Sequence, residues 1–339
     1  MKAKKRLFAG MLALAMLLSL NVTALASAPG SGDGTEPIYT DAESVTITKV
    51  YKATNGGTSS PAETFTLEQI SDGVVVDGEA ATAPALGTIT GATFAEGGAT
   101  TAGATANITI KLPDYTRVGI YEYTLKEKAG TTAGVSYYGD KITLVVTVIQ
   151  DEDGTIRVAG VHTEDTGEEK SDTFTNTYSA GTLTVTKNVE GILGDTDKYF
   201  EFTISLTGEN GKTYAESYDI TGNCGAESDE TITVDGSATV YLKDGDTVSI
   251  ANLPYGVEYT ITEVGGGTPT EANADGYTTT STGTTGEIDD ATQGAVFTNT
   301  KGGTIDTGVY LDNLPYIIVF AGVLAAVAVL VIRRRRVDD

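Results

Sequence analysis

Val45-Thr46-Ile47-Thr48-Lys49 and, 138 residues further on, Leu183-Thr184-Val185-Thr186-Lys187 are one five-residue pattern written twice. In each copy apolar side chains alternate with Thr, so the apolar residues fall on one face of an extended chain. β-Branched residues favour that conformation, because their stiff side chains pack well on a pleated surface. Similar runs of four to eight residues, rich in Thr, Val, Ile and Tyr, recur between Pro29 and Thr307, with Gly, Asp, Asn or Pro between them. No amphipathic helical period breaks the series. The pattern predicts an all-β protein built of sandwiches.

The repetition extends outward from the first block. Gly119-Ile120-Tyr121-Glu122-Tyr123-Thr124-Leu125-Lys126-Glu127 matches Gly256-Val257-Glu258-Tyr259-Thr260-Ile261-Thr262-Glu263, with one residue more in the first copy. Phe174-Thr175-Asn176-Thr177 matches Phe297-Thr298-Asn299-Thr300. The three blocks keep their order in both copies, which predicts two homologous domains, 38–178 and 181–301, with a very short linker at Ser179-Ala180.

The period of two puts Val45, Ile47 and Lys49 on one face, and likewise Tyr121, Tyr123, Leu125 and Glu127, and Phe174 and Asn176. The second copy does the same with Lys187, Glu263 and Asn299. Each domain thus lines up a Lys, a Glu and an Asn with residues that should face the core. An unpaired buried Lys or Glu is very costly. Two readings fit. One is a buried Lys–Glu ion pair capped by Asn, or strand ends already in solvent. The other is chemistry, and the recurrence of all three residues favours it. Burial in an apolar site disfavours the charged forms of Lys and Glu. A neutral amine can attack the Asn side-chain carbonyl, while a protonated Glu donates to that carbonyl and carries the proton to the departing ammonia. The product is a Lys–Asn amide inside the fold. Proximity makes this single turnover feasible with no cofactor.

The ends of the chain carry export signals. Lys2, Lys4, Lys5 and Arg6 precede an apolar run, Leu7 to Leu20, and Ala26-Ser27-Ala28 forms a small-residue cleavage site, so residues 1–28 read as a signal peptide. Ala24-Leu25-Ala26 is a second possible site. A second apolar run, 316–332, ends at Arg333-Arg334-Arg335-Arg336. Its helix would rise about 26 Å, close to the thickness of a bilayer core, with the arginines held in the cytoplasm. Before it stand Ile305-Asp306-Thr307-Gly308 and Leu314-Pro315-Tyr316. Thr-Gly, spacer, Pro-Tyr, apolar helix and basic end resemble, in that order, the sorting signals of Gram-positive pilins. The resemblance implies that a sortase cuts between Thr307 and Gly308 and joins the Thr carbonyl to an amine. Asp306 stands where such signals usually carry Pro.

The chain holds 22 Lys+Arg against 46 Asp+Glu, a net charge of −24. Such an exterior repels nucleic acid and anionic lipid. The one cysteine, Cys224, excludes an intramolecular disulfide, so an exported chain must find its stability elsewhere. The single histidine, His162, completes no Ser/His/Asp or Cys/His set, and no Cys/His cluster offers a zinc site. Asp151-Glu152-Asp153-Gly154 lacks the spacing of a calcium loop and reads as a hairpin turn. Neither enzyme chemistry on external substrates nor a bound metal is expected.

At the Lys, Glu and Asn positions the chain resembles the pilin isopeptide-linker family of streptococcal major pilins, through Thr-(Ile/Val)-Thr-Lys, Tyr-Thr-x-x-Glu and Phe-Thr-Asn-Thr. The resemblance implies tandem immunoglobulin-like sandwiches of the collagen-adhesin B type. It also implies amides Lys49–Asn176 and Lys187–Asn299, assisted by Glu127 and Glu263. Lys52 and Lys301 fit the matched blocks less well. An amide joining first and last strands would take up a pull on the termini in place of ladder hydrogen bonds. The chain-entropy model gives roughly 4–5 kcal/mol for closing loops of this length. The implied function is a wall-linked pilus shaft subunit on the cell surface, polymerised by sortase, with neighbouring subunits and peptidoglycan as partners. Lys170, six residues before Asn176, is the candidate acceptor for Thr307; the family's acceptor stands one residue further away. The competing reading is a wall-anchored monomer or pilus-tip adhesin that holds host surface ligands with its loops.

Overall fold

The computed structural model describes residues 42–78, 82–167 and 169–303, with Val319, Phe320 and Val323 beyond them. The protein is all-β from Ser44 to Thr300. Strands follow the alternating runs: β1 (Ser44–Ala53), β2 (Glu63–Phe65), β3 (Leu67–Gln69), β4 (Val74–Gly78), β5 (Ile89–Thr90), β6 (Ala92–Phe94), β7 (Ala104–Lys111), β8 (Gly119–Glu127), β9 (Val135–Ser136), β10 (Lys141–Gln150), β11 (Ile156–Glu164) and β12 (Thr173–Tyr178). The second half continues with β13 (Ala180–Glu190), β14 (Phe200–Thr207), β15 (Tyr218–Gly222), β16 (Thr231–Ile232), β17 (Ser237–Leu242), β18 (Thr247–Pro254), β19 (Glu258–Glu263), β20 (Thr278–Thr282), β21 (Thr285–Glu287) and β22 (Thr292–Thr300).

Each half folds two sheets over its own core. In the first, β5-β7-β1-β12-β9 faces β11-β10-β8-β3, with β4 also on β8 and a β2–β6 ribbon beside them. In the second, β16-β15-β18-β13-β22-β20 faces β17-β14-β19-β21. The period of two is visible in the burial. Val45, Ile47, Lys49, Tyr51 and Ala53 of β1 point inward, while Ser44, Thr46 and Lys52 are exposed. The first core gathers Ile47, Phe65, Ile108, Tyr123 and Leu144; the second gathers Leu183, Phe202, Ile204, Val240 and Ile250.

First and last strands are parallel neighbours in both halves. β1 pairs with β12, Lys49 opposite Phe174 and Tyr51 opposite Asn176. β13 pairs with β22, Lys187 opposite Phe297 and Val189 opposite Asn299. The two sandwiches differ on the far side of the last strand. β22 is flanked by β20 from Thr278 to Thr282, whereas among the described residues β12 meets there only the short β9, at Thr177 and Tyr178.

The linker is shorter than the sequence suggests, since Ala180 already belongs to β13 and Ser179 alone separates the halves. Hydrogen bonds cross the joint. Asn55 Nδ2 donates to Ala180 O (2.8 Å) and to Tyr255 Oη (2.7 Å), and Ser59 N–H donates to Asn252 Oδ1 (2.8 Å). Asn252 holds the left-handed conformation, φ 61°, which Asn tolerates better than most residues. Asp151–Gly154 forms the turn between β10 and β11, with Gly154 at φ 88°. Among the described residues no helix is long and apolar enough to cross a membrane. The expected signal peptide over 1–28, the expected cleavage site Thr307–Gly308 and most of the apolar run 316–332 lie outside the described residues.

Candidate cross-linking sites

Lys49 comes from β1, Glu127 from the end of β8 and Asn176 from β12, and the fold brings the three together in the first core. Lys49 Nζ bonds to Glu127 Oε2, and Asn176 Nδ2 bonds to Glu127 Oε1. One carboxylate thus bridges the amine and the amide. The Tyr138 backbone N–H also donates to Glu127 Oε1 (3.2 Å). The three side chains are buried, Lys49 completely. The second sandwich repeats the arrangement with Lys187, Glu263 and Asn299 from β13, β19 and β22. Lys187 Nζ lies 3.2 Å from Glu263 Oε2, and Asn299 Nδ2 bonds to Glu263 Oε1.

Local geometry explains the convergence. In a parallel pair of neighbours, side chains two levels apart on one face lie within reach of each other. Lys49 is level with Phe174, so Asn176 sits one inward step along β12, and the long Lys stem closes the gap. Glu127 and Glu263 come from the facing sheets and complete each set across the core. The surroundings are aromatic. Lys49 Nζ lies 5.4 Å from the centre of the Phe65 ring and 5.6 Å from that of Tyr138. Lys187 Nζ lies 4.2 Å from Phe200 and 5.7 Å from Phe202. Desolvation lowers the pKa of Lys49 against the opposing pull of Glu127. It pushes Lys187 down to about 8 against that of Glu263.

Two atoms stand out. Asn176 Oδ1 and Asn299 Oδ1 are buried with no hydrogen-bond partner. An orphaned buried carbonyl costs about 1–3 kcal/mol. These are the oxygens that gain charge when an amine attacks the Asn side chain.

Lys52, the competing lysine of the first block, is exposed on β1. Lys301 Nζ lies 5.2 Å from the ring centre of Tyr277. Lys170 is exposed on the loop between β11 and β12, its backbone in an isolated antiparallel β-bridge with that of Glu164. His162 bonds to Glu164 at 2.8 Å, and Cys224 packs at the margin of the second core. A cleft of about 650 Å³ opens between the sandwiches, lined in part by Glu96, Tyr178, Tyr214, Tyr218 and Asp219, and none of the six buried residues touches it. The aromatic lining was not read from the sequence. A signal for it exists in Phe65-Thr66-Leu67 and Phe202-Thr203-Ile204, a fourth short match between the halves.

The structure defines a protein of two tandem β-sandwiches, each with a Lys, a Glu and an Asn brought together inside its core. Residues 45–179 match the family described as Spy0128-like isopeptide containing domain. Residues 181–301 match a family described as a domain of unknown function, DUF7601. The chain is 28% identical over 300 residues to a pilin of Streptococcus pyogenes serotype M1, covering 80% of this chain and 85% of that one. It is also similar to the pilus tip adhesin Cpa of S. pyogenes, 39% identical over 83 residues, which is 24% of this chain and 11% of the adhesin. Its fold matches the crystal structure of the major pilin from S. pyogenes with a TM-score of 0.51 at 23% identity, over 78% of this chain and all of the other.

Proposed function

We propose that the chain is a shaft subunit of a surface pilus, made of two immunoglobulin-like sandwiches that each lock themselves with a Lys–Asn amide. The observation that carries this reading is the duplicated buried set, in which one carboxylate bridges an amine and an amide whose carbonyl oxygen has no other partner.

The reaction needs nothing beyond the three side chains. The Lys ammonium passes a proton to the bridging carboxylate, giving a neutral amine and a carboxylic acid. The amine attacks Asn Cγ, and the new C–N bond forms as the C=O π bond opens. The acid donates toward the oxygen and then delivers its proton to the leaving nitrogen, and the carboxylate so formed takes the surplus proton from the attacking nitrogen, ending as the acid. Ammonia departs, a secondary amide remains, and each core loses about 17 Da. The aromatic walls exclude water and hold the reacting groups in place.

Export by the 1–28 signal peptide and retention by the 316–332 helix would present Thr307–Gly308 to a sortase. Attack by the enzyme's thiol releases the Gly308 amine and leaves Thr307 as a thioester. A lysine amine of the next subunit, Lys170 on our reading, forms the amide and frees the thiol; peptidoglycan takes the last subunit. Boiled surface extracts should give a ladder of covalent multimers on denaturing gels, and Lys170→Ala should abolish it while leaving the folded body intact. An unchanged ladder would move the acceptor to another lysine. No ladder with the cognate sortase present would favour the wall-anchored monomer or tip adhesin, a reading to which the similarity with Cpa lends some support.

A further inference from the structure

We propose that the outer edge of β12 is the docking site for Ile305–Thr307 of a second copy of this chain, which pairs there as an added antiparallel strand. The proposal rests on the reading of Lys170 as acceptor and adds how the donor segment is held beside it.

The backbone of β12 identifies the edge. Asp172 O and Tyr178 O accept from the N–H groups of Thr48 and Thr54, so even-numbered residues of β12 face β1 and odd-numbered ones face away. Thr177 is covered by β9. Thr173 is engaged by its neighbour: its N–H donates to Ser171 Oγ (3.4 Å), and Ser171 Oγ donates to Thr173 O (3.1 Å). Thr175 has an outward N–H and C=O with no protein partner among the described residues, and its side chain is exposed. In the second sandwich the same place is filled. Thr298, the counterpart of Thr175 in Phe-Thr-Asn-Thr, lies opposite Thr280 of the antiparallel strand β20. The first sandwich therefore presents an open strand edge where its homologue has a strand, and an open edge is a template for pairing.

Direction and length select the occupant. A strand antiparallel to β12 runs with its C-terminal end toward Thr173 and the exposed Lys170; a parallel one would carry that end away. Ile305–Thr307 spans at most about 11 Å, so Thr307 can meet Lys170 only if the segment lies close against this part of the neighbour. Ile305-Asp306-Thr307 suits an edge strand, with β-branched residues on either side of a charge. With Asp306 opposite Thr175, the two residues exchange both backbone hydrogen bonds and their side chains point to solvent. Ile305 and Thr307 then turn toward the side of Asn176 and Phe174. Asp306 has the N–H that this pairing requires, whereas the Pro usual at that place in sorting signals has none.

The test is amide exchange, followed by NMR, on the sortase-joined dimer of the mature chain and on its monomer. The Thr175 amide of the acceptor subunit should exchange about tenfold or more slowly in the dimer, and the Thr298 amide, already paired, should not change. A Thr175 amide equally labile in both, in a dimer whose branch maps to Thr307–Lys170, overturns the edge pairing and leaves the acceptor reading standing. A branch at another lysine overturns both. Thr175→Pro removes only an outward N–H, which an edge strand tolerates. It should cut the yield of multimers about tenfold or more with both internal mass deficits retained, whereas Thr175→Val should not. Full polymerisation of the proline variant overturns the proposal, and the exchange measurement on the unaltered chain decides where that variant fails to fold.

Discussion

Lys187 is a primary amine with none of its surface in water, a few ångströms from a carboxylate and against two Phe rings. Its lowered pKa has a sign that can be measured. In Asn299→Ala, which cannot close the bond, the folded state holds fewer protons than the unfolded one between about pH 8 and the ordinary lysine value of 10.5. Stability should rise with pH across that window, and the cost of burying the charge should be felt in full below it. Comparing the melting temperature of Asn299→Ala with that of the double variant Lys187→Met, Asn299→Ala isolates the amine, and a difference that does not move with pH would contradict the assignment. The carboxylates are tested by mass. The unaltered body should weigh about 34 Da less than its sequence, about 17 Da for each ammonia lost. Glu127→Ala and Glu263→Ala should each restore one increment; a well-folded parent at its full sequence mass would sink the idea of internal amides.

At the level of the element, the last strand is treated differently in the two halves, and glycine chemistry helps to keep the second one covered. Gly283 follows β20 with φ 65°, and a Cβ there would lie 2.1 Å from Gly294 O at the start of β22's inward run. Gly283→Ala should therefore pry β20 from β22 and cost about 1–3 kcal/mol, read as a lower melting temperature in the Glu263→Ala background, where no amide masks the loss. How much of this was legible varies by residue. The alternation of Val45, Ile47 and Lys49 sufficed to assign Lys49 to the core face, because a strand's period is fixed by its backbone. The same held for Glu127 and Asn176. Beyond the matched Phe65 and Phe202, nothing local told that Tyr138 would flank Lys49, or that Phe200 would press on Lys187. Those contacts depend on how one sheet slides over another. The bare edge at Thr175 was equally hidden, since Phe-Thr-Asn-Thr reads alike in both copies and only the partner strand differs.

For the whole molecule, two cores that close on themselves should give a body resistant to heat and trypsin, indifferent to reductant because no disulfide contributes. The double variant Glu127→Ala, Glu263→Ala should lose that resistance, seen as digestion at a temperature the parent survives; equal resistance would make the amides absent or irrelevant. The parallel pairing of first and last strands has a consequence for extension. Lys49 and Asn299 stand 250 positions apart, and a free chain of that length pulls out to roughly 850 Å. With both amides formed, the shortest covalent route between them follows the main chain only from Asn176 to Lys187. Nearly all of that short run already lies in β12 and β13, at a rise per residue of about 3.3 Å, within a tenth of the maximum. There is almost no slack to draw out. A filament of such subunits would behave as a wire and not as a spring, passing each tug of a flowing medium undiminished to its two ends, so that the shock must be absorbed at the wall or at whatever the tip is holding.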